Sequence, residues 1–132
     1  MAVYTKVSKR ELNEIVAEYG LPRASAAREV PEGSVNTHYL LETNKGKFLV
    51  KIDEVKSEME VKRELDLLLF LRKHGFPCPV PLTDRRGRHY REWGGKSLSV
   101  YRYIDGHFID PEELGSAQLE NVGRVLADLH II

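Results

Sequence analysis

The sequence predicts an α+β fold: an antiparallel sheet of about five strands, a helix packed on it, and one further helix near each end of the chain. Three observations predict it. Segments 8–20 and 57–73 carry helix start and stop signals around apolar residues at helical spacing. Between them, residues 27–52 change to short alternating or apolar runs separated by Gly, Asn and Ser. Beyond them, glycine-containing turns at 84–87 and 93–96 punctuate two more strand-like runs, so the sheet is expected over 27–52 and 80–104.

The elements follow in chain order. An extended stretch, Ala2 to Lys6, leads into the first helix, where Ser8 and Glu11 have capping-box spacing. Leu12, Ile15, Val16 and Tyr19 then repeat at i, i+3, i+4 and i+7, and Gly20 supplies the stop. An apolar stripe at this spacing is what core packing requires, so this helix is assigned no chemistry.

Residues 27–52 read as a three-stranded meander. Ala27 to Pro31 leads through Glu32-Gly33-Ser34-Val35-Asn36 to a second strand, Thr37 to Thr43. Asn44-Lys45-Gly46 marks a turn, and Lys47 to Ile52 is the third strand. In the first connection, Gly33 has no Cβ to keep backbone N–H groups away from an anion, although the same residues would serve a plain hairpin turn.

In the third strand a lysine, Lys51, interrupts an apolar run. A buried ammonium is costly unless an anion pairs with it, whereas a lysine at a strand end can snorkel into water. Strand alternation puts Lys51 and Leu49 on one face and Val50 and Ile52 on the other. The next helix bears on the choice. Ser57 and Glu60 have capping-box spacing, Val61, Leu65, Leu68 and Leu71 form the apolar face, and His74-Gly75 followed by Pro77, Pro79 and Pro81 ends the helix. Glu64 lies within or beside that face and needs a cation. Because a helix following a strand packs across the sheet it has left, Lys51 is its expected partner, with Glu60 the rival one turn earlier. Glu54 and Glu58 are expected in solvent.

Composition narrows the function classes. With 132 residues, 42% of them hydrophobic, the chain can bury one core. Twenty basic residues balance twenty acidic ones, so no electrostatic footprint for nucleic acid or an anionic membrane is present. The single cysteine, Cys78, cannot form an internal disulfide, and no apolar run reaches the ~20 residues of a membrane span. A cytoplasmic location is expected.

Strand, lysine, helix and glutamate behind a loop-linked hairpin resemble a protein-kinase-like N-terminal lobe, where such a pair holds nucleotide phosphates. The wording is more specific. "MAVYTKVSKREL", "PEGSVNTHYLLET", "GKFLVKI", "HGFPCPVPL", "VYRYIDG" and "GRVLADLH" resemble the N-terminal half of type II homoserine kinases, within the aminoglycoside phosphotransferase and choline kinase superfamily. That resemblance implies ATP as ligand, as Mg-ATP in a complete enzyme. It implies that Gly33, Ser34, Val35 and Asn36 lie over the phosphates, that Lys51 reaches the α and β phosphates, and that Glu64 orients Lys51. Leu49 and Val30 would wall the adenine, with Tyr101 at the back of its pocket. Arg102, Tyr103 and Ile104 would form the linker, Arg102 and Ile104 presenting a carbonyl and an N–H to the adenine edge.

The resemblance divides the chain into a nucleotide lobe, 1–104, and a linker with the first helix of a C-terminal lobe, 105–132. The family's catalytic loop and metal-binding Asp fall after the "LADLH" helix, so no catalytic or metal-binding residue is assigned, and the chain alone is expected to be inactive. Asp105 and Asp110 read as turn and cap residues. Leu119, Val122, Val125, Leu126 and Leu129 form an apolar stripe expected to meet a C-terminal lobe or to self-associate through 117–132. A non-catalytic nucleotide-binding or regulatory module is the alternative, as is a kinase acting on choline, an aminoglycoside or methylthioribose.

Overall fold

The computed structural model describes residues 5–31, 35–107 and 109–132. Helix α1 (Lys9–Ala17) starts where its capping residues place it. The Ser8 hydroxyl accepts the Glu11 N–H and the Glu11 carboxylate accepts the Ser8 N–H, each at 3.1 Å. The helix ends earlier than the glycine suggests: Glu18 is the C-cap, and Gly20, at φ 69°, redirects the chain after one more tight turn.

Strands β1 (Ala26–Glu29), β2 (Thr37–Thr43), β3 (Gly46–Asp53), β4 (Arg91–Trp93) and β5 (Lys96–Arg102) form one antiparallel sheet in the order β1-β2-β3-β5-β4. Between β4 and β5 the turn residues Gly94 and Gly95 both have positive φ, 55° and 80°, the combination a two-residue type I′ hairpin needs. The second proline-flanked run adds less sheet than expected. Pro81 makes a single bridge to Tyr101 and the Leu82 N–H reaches the Val100 carbonyl at 2.8 Å. Pro79 and Pro81 have no N–H to extend that ladder, so no strand forms near residue 80. Strand β5 likewise stops at Arg102 and not at Ile104.

The two faces of the sheet differ in what they carry. On one, Phe48, Val50 and Ile52 of β3 align with Leu41 and Tyr39 of β2 and with Val100 and Leu98 of β5. Helix α1 covers them with Leu12, Ile15 and Val16, and Tyr19 just beyond it joins the same core. Each of these fully buried aliphatic side chains contributes about 1.5–3 kcal/mol by leaving water.

On the other face, α2 (Glu58–Lys73) seats Val61 and Leu65 on Tyr101, with Leu49, Leu68 and Tyr90 at the margin. The Ser57 hydroxyl accepts the Glu60 N–H at 3.2 Å. Among the described residues no reciprocal bond from the Glu60 side chain forms, so Ser57 is a simple cap rather than half of a box. Glu58 and Glu60 in the first turn and Arg72 and Lys73 in the last complement the helix dipole. Leu68 and Leu71, expected in the buried face, are only half-buried. Beside Leu68 the packing opens into a cleft.

After the sheet, a short 3₁₀ turn (Pro111–Glu113) follows Asp110, whose side chain makes no cap bond. Helix α3 (Ser116–Ile131) has no buried residue. Leu119, Val122, Val125 and Leu126 are between 42% and 58% exposed, so their apolar stripe does not fold back on the sheet. No helix among the described residues is long and apolar enough to cross a membrane.

Candidate functional site

The cleft lies where β3, β5 and α2 meet, and encloses about 480 Å³, within the range usual for small-molecule sites. Its walls come from alternate residues of adjacent strands. The antiparallel register aligns Leu40, Leu49 and Tyr101 in one row and His38, Lys51 and Ser99 in the next. Leu49, Leu68, Tyr101 and Ile104 make the apolar side, and Asn36, His38, Lys51 and Glu64 the polar side.

Lys51 holds the centre. Its ammonium is 3.0 Å from Glu64 Oε1 and 3.7 Å from Asp53 Oδ1, with a side chain only 14% exposed. Lys56, in the β3–α2 connection, bonds the other Glu64 oxygen. Burial works to raise the Glu64 carboxyl, but hydrogen bonds from Lys56 and Lys51 outweigh it and hold that carboxyl below its ordinary value. Asp53 differs. Its carboxyl is 2% exposed, Oδ1 has no hydrogen-bond partner among the described residues, and burial pushes its pKa up against the pull of Lys51. Lys51 and Glu64 thus line the cleft, and Asp53 lies buried beside Lys51 without lining it.

The linker side is built from backbone. Tyr101 is buried and its hydroxyl accepts from Ser99 Oγ at 3.0 Å; burial pushes its pKa up to about 12, so it stays neutral. The Arg102 guanidinium lies 5.5 Å from the Phe48 ring centre, on the α1 face of the sheet, so Arg102 meets the cleft through its main chain. The Tyr103 N–H donates to the Lys47 carbonyl at 3.0 Å, whereas among the described residues no hydrogen bond engages the Ile104 N–H. This segment therefore offers an apolar side with main-chain polar groups at its edge.

Of the remaining expected site residues, Val30 lies in an adjoining cavity of about 410 Å³ that shares His38, Leu49, Tyr103 and Ile104 with the first. Asn36 reaches the cleft, where its Oδ1 also accepts the Glu54 N–H at 3.2 Å. Val35 is 52% exposed and lines neither cavity, because its side chain points to solvent at the end of the loop. Gly33 and Ser34 lie outside the described residues.

Glu54 is not in solvent as its charge suggests. Its side chain is 7% exposed, bonded by Lys96 and by the hydroxyls of Thr5 and Thr37, because β3 carries it into contact with the start of β5. Glu60 is exposed at the helix start and takes no part in the site. His38, Asp53 and Lys56 went unnoticed in the sequence. The first had a signal: from the Thr43–Gly46 pair at the hairpin turn, counting back along β2 and forward along β3 brings His38 opposite Lys51.

Among the described residues no group of three or more His, Cys, Asp and Glu side chains converges as a metal site. The described residues of the cleft thus present no three-ligand cradle for a metal ion.

Comparison with known proteins places this geometry in context. The family model described as "Phosphotransferase enzyme family" matches residues 26–132. The homoserine kinase of Bradyrhizobium diazoefficiens is 31% identical over 132 residues, covering 99% of this chain and 40% of the relative. That of Caulobacter sp. strain K31 is 33% identical, covering 99% and 41%. The chain spans about 40% of the length of the curated relatives it matches. Among solved structures, a microcompartment-associated aminopropanol kinase aligns with a TM-score of 0.67 at 21% identity, over 90% of this chain and 38% of that one. A spectinomycin phosphotransferase solved with ADP and spectinomycin aligns at 0.69 and 15% identity, over 92% and 37%. At these identities the two structures speak to the fold, which is kinase-like α+β.

Proposed function

Since the chain belongs to the phosphotransferase enzyme family, we propose that it is the ATP-binding lobe of an ATP-dependent small-molecule kinase, with homoserine as the phosphate acceptor of the whole enzyme. The observation that carries the nucleotide part is the Lys51–Glu64 pair at 3.0 Å, set at the floor of a cleft whose other side is apolar. Phosphate groups would meet the ammonium, held in place by Glu64 from α2 and by Asp53 from its own strand. The adenine would lie against Leu49, Tyr101 and Ile104, with Val30 closing the far end, and its edge would meet main-chain groups of Arg102 and Ile104. Asn36, and the loop residues Gly33, Ser34 and Val35 before it, would approach the phosphates.

Homoserine as acceptor rests on the relatives' names and on the quoted motifs. A nucleotide lobe at 1–104 and a linker and helix at 105–132 fit the uncovered apolar stripe of α3. Either a C-terminal lobe or a second copy would bury that stripe. A non-catalytic nucleotide-binding module has the same stripe in its favour. By the family resemblance the catalytic loop and metal-binding Asp fall after α3, so residues 1–132 taken alone are proposed to bind ATP without homoserine-dependent ADP release.

Titration calorimetry with ATP tests the reading. Expected is saturable binding that weakens at least about tenfold, 1.4 kcal/mol, in Lys51→Ala. Binding that survives Lys51→Ala unchanged would refute the phosphate grip.

A further inference from the structure

The cleft as described has a charge imbalance. A nucleotide brings several negative charges, and Lys51 is already shared by Glu64 and Asp53. The Arg102 side chain is turned to the opposite face of the sheet, over Phe48. What stands next to Lys51 is His38, its direct cross-strand neighbour between β2 and β3. Opposed residues of an antiparallel pair hold their Cβ atoms about 4.5–5.5 Å apart, so an anion bound by the ammonium is within reach of the imidazole. His38 lines both cavities of the cleft, and Asn36, at the end of the β1–β2 connection, lines the first of them beside it.

We propose that His38 is a second phosphate-binding residue of this cleft, acting beside Lys51 by taking up a proton as the anion arrives. The inference rests on the nucleotide reading of the cleft and adds a residue and a pH dependence to it. The groups around His38 fix the sign. Lys51 and Asp53 of β3 act on it directly, while Glu64 of α2 lines the same cleft as the ion-pair partner of Lys51 and is itself paired with Lys56 of the connection. Arg28 of β1 and His107 of the linker lie across the adjoining cavity. In the free protein, burial first and the Lys51 charge second lower the His38 pKa, opposed by Asp53 and by the Asn36 backbone, so the ring is neutral near pH 7. A phosphate at Lys51 cancels the ammonium's repulsion and adds attraction, which reverses the balance. One proton is then bound with the anion, and affinity rises as pH falls.

The experiment uses inorganic pyrophosphate as probe and follows the imidazole resonances by NMR between pH 5.5 and 8.5, with His38 assigned from the missing signal in His38→Gln. Expected is a rise of the His38 pKa on saturation with pyrophosphate, while exposed His130 is unmoved. Because pyrophosphate also titrates in this range, the readout is the difference between the two profiles: wild-type affinity relative to His38→Gln is expected to increase severalfold per pH unit on acidification, bounded by about tenfold for one proton. If pyrophosphate binds in a Lys51-dependent way but the His38 pKa stays and His38→Gln retains the pH profile, the proposal is overturned and the nucleotide reading stands. If pyrophosphate does not bind, or Lys51→Ala leaves binding unchanged, the nucleotide reading fails and the proposal falls with it.

Discussion

Replacing Lys51 by methionine removes the ammonium and keeps most of the apolar stem, so its cost is set by the two carboxylates left behind. Glu64, 30% exposed, retains Lys56, and its loss resembles that of a surface pair, about 0–1 kcal/mol. Asp53, 2% exposed, has no other cation at ion-pair distance among the described residues, and stripping a buried charge of its partner costs up to about 3–5 kcal/mol. The 3.7 Å separation and the option of protonation reduce that share, so about 1–3 kcal/mol in total is expected near neutral pH. For a chain of this size the melting temperature falls by about 4 °C per kcal/mol.

The deficit depends on pH in a direction that follows from Asp53. Burial already raises its carboxyl and Lys51 pulls it down, so in the variant it rises further. A carboxyl with a raised folded-state pKa favours folding while protonated, and that contribution is lost as pH rises through the raised value. The deficit of Lys51→Met therefore grows from acid toward neutral pH and then levels off. Urea unfolding of Lys51→Met, Asp53→Asn and the double variant between pH 4.5 and 8 measures it. The double variant recovers most of the loss. A deficit that is constant with pH, or that Asp53→Asn leaves untouched, would refute the reasoning.

The other predictions concern the supports of the cleft. Glu54→Gln breaks the charged contacts to Lys96, Thr5 and Thr37 and lowers stability by about 1.5–3 kcal/mol at neutral pH in urea unfolding. Hydrogen bonds from these partners outweigh burial and hold the Glu54 carboxyl below its ordinary value, so this stability is present above that value and vanishes as pH falls through the lowered one; the gap to wild type closes in acid. Ile52→Ala, at a fully buried site on the α1 face, costs about 2–5 kcal/mol while ATP affinity at temperatures well below melting is unchanged, since its side chain points away from Lys51. Val122→Glu with Leu126→Glu on α3 leaves the melting temperature within about 2 °C, because neither side chain is buried, and abolishes any self-association seen by sedimentation.

What could be read from the sequence was local. The Ser8–Glu11 box, the Ser57 cap, the Gly94-Gly95 turn and the alternation of β3 each depend on residues a few positions apart, and each appears in the structure. Glu64 could be aligned with Lys51 because a strand and the helix after it are adjacent in space as well as in sequence. Asp53 and Glu54 could not be read this way. They sit side by side in the chain, both acidic, yet one faces Lys51 and the other Lys96, a residue brought in by β5 after an intervening helix and loop. Proline misled in the opposite sense: the apolar run at Val80 to Leu82 suggested a strand, but without N–H donors it makes a single bridge. The candidate site itself is half local and half register, which is why Lys51 stood out and His38 did not.

Mapping ATP onto the chain by two-dimensional amide NMR tests the central claim most directly, because it reads the location of binding as well as its existence. The account predicts saturable shifts at Asn36 to His38, along Leu49 to Asp53, around Glu64 to Leu68 and through Tyr101 to Ile104, with α1 and α3 unchanged. Shifts confined to α3 or to the α1 face, with Lys51 and its neighbours unmoved, would contradict it.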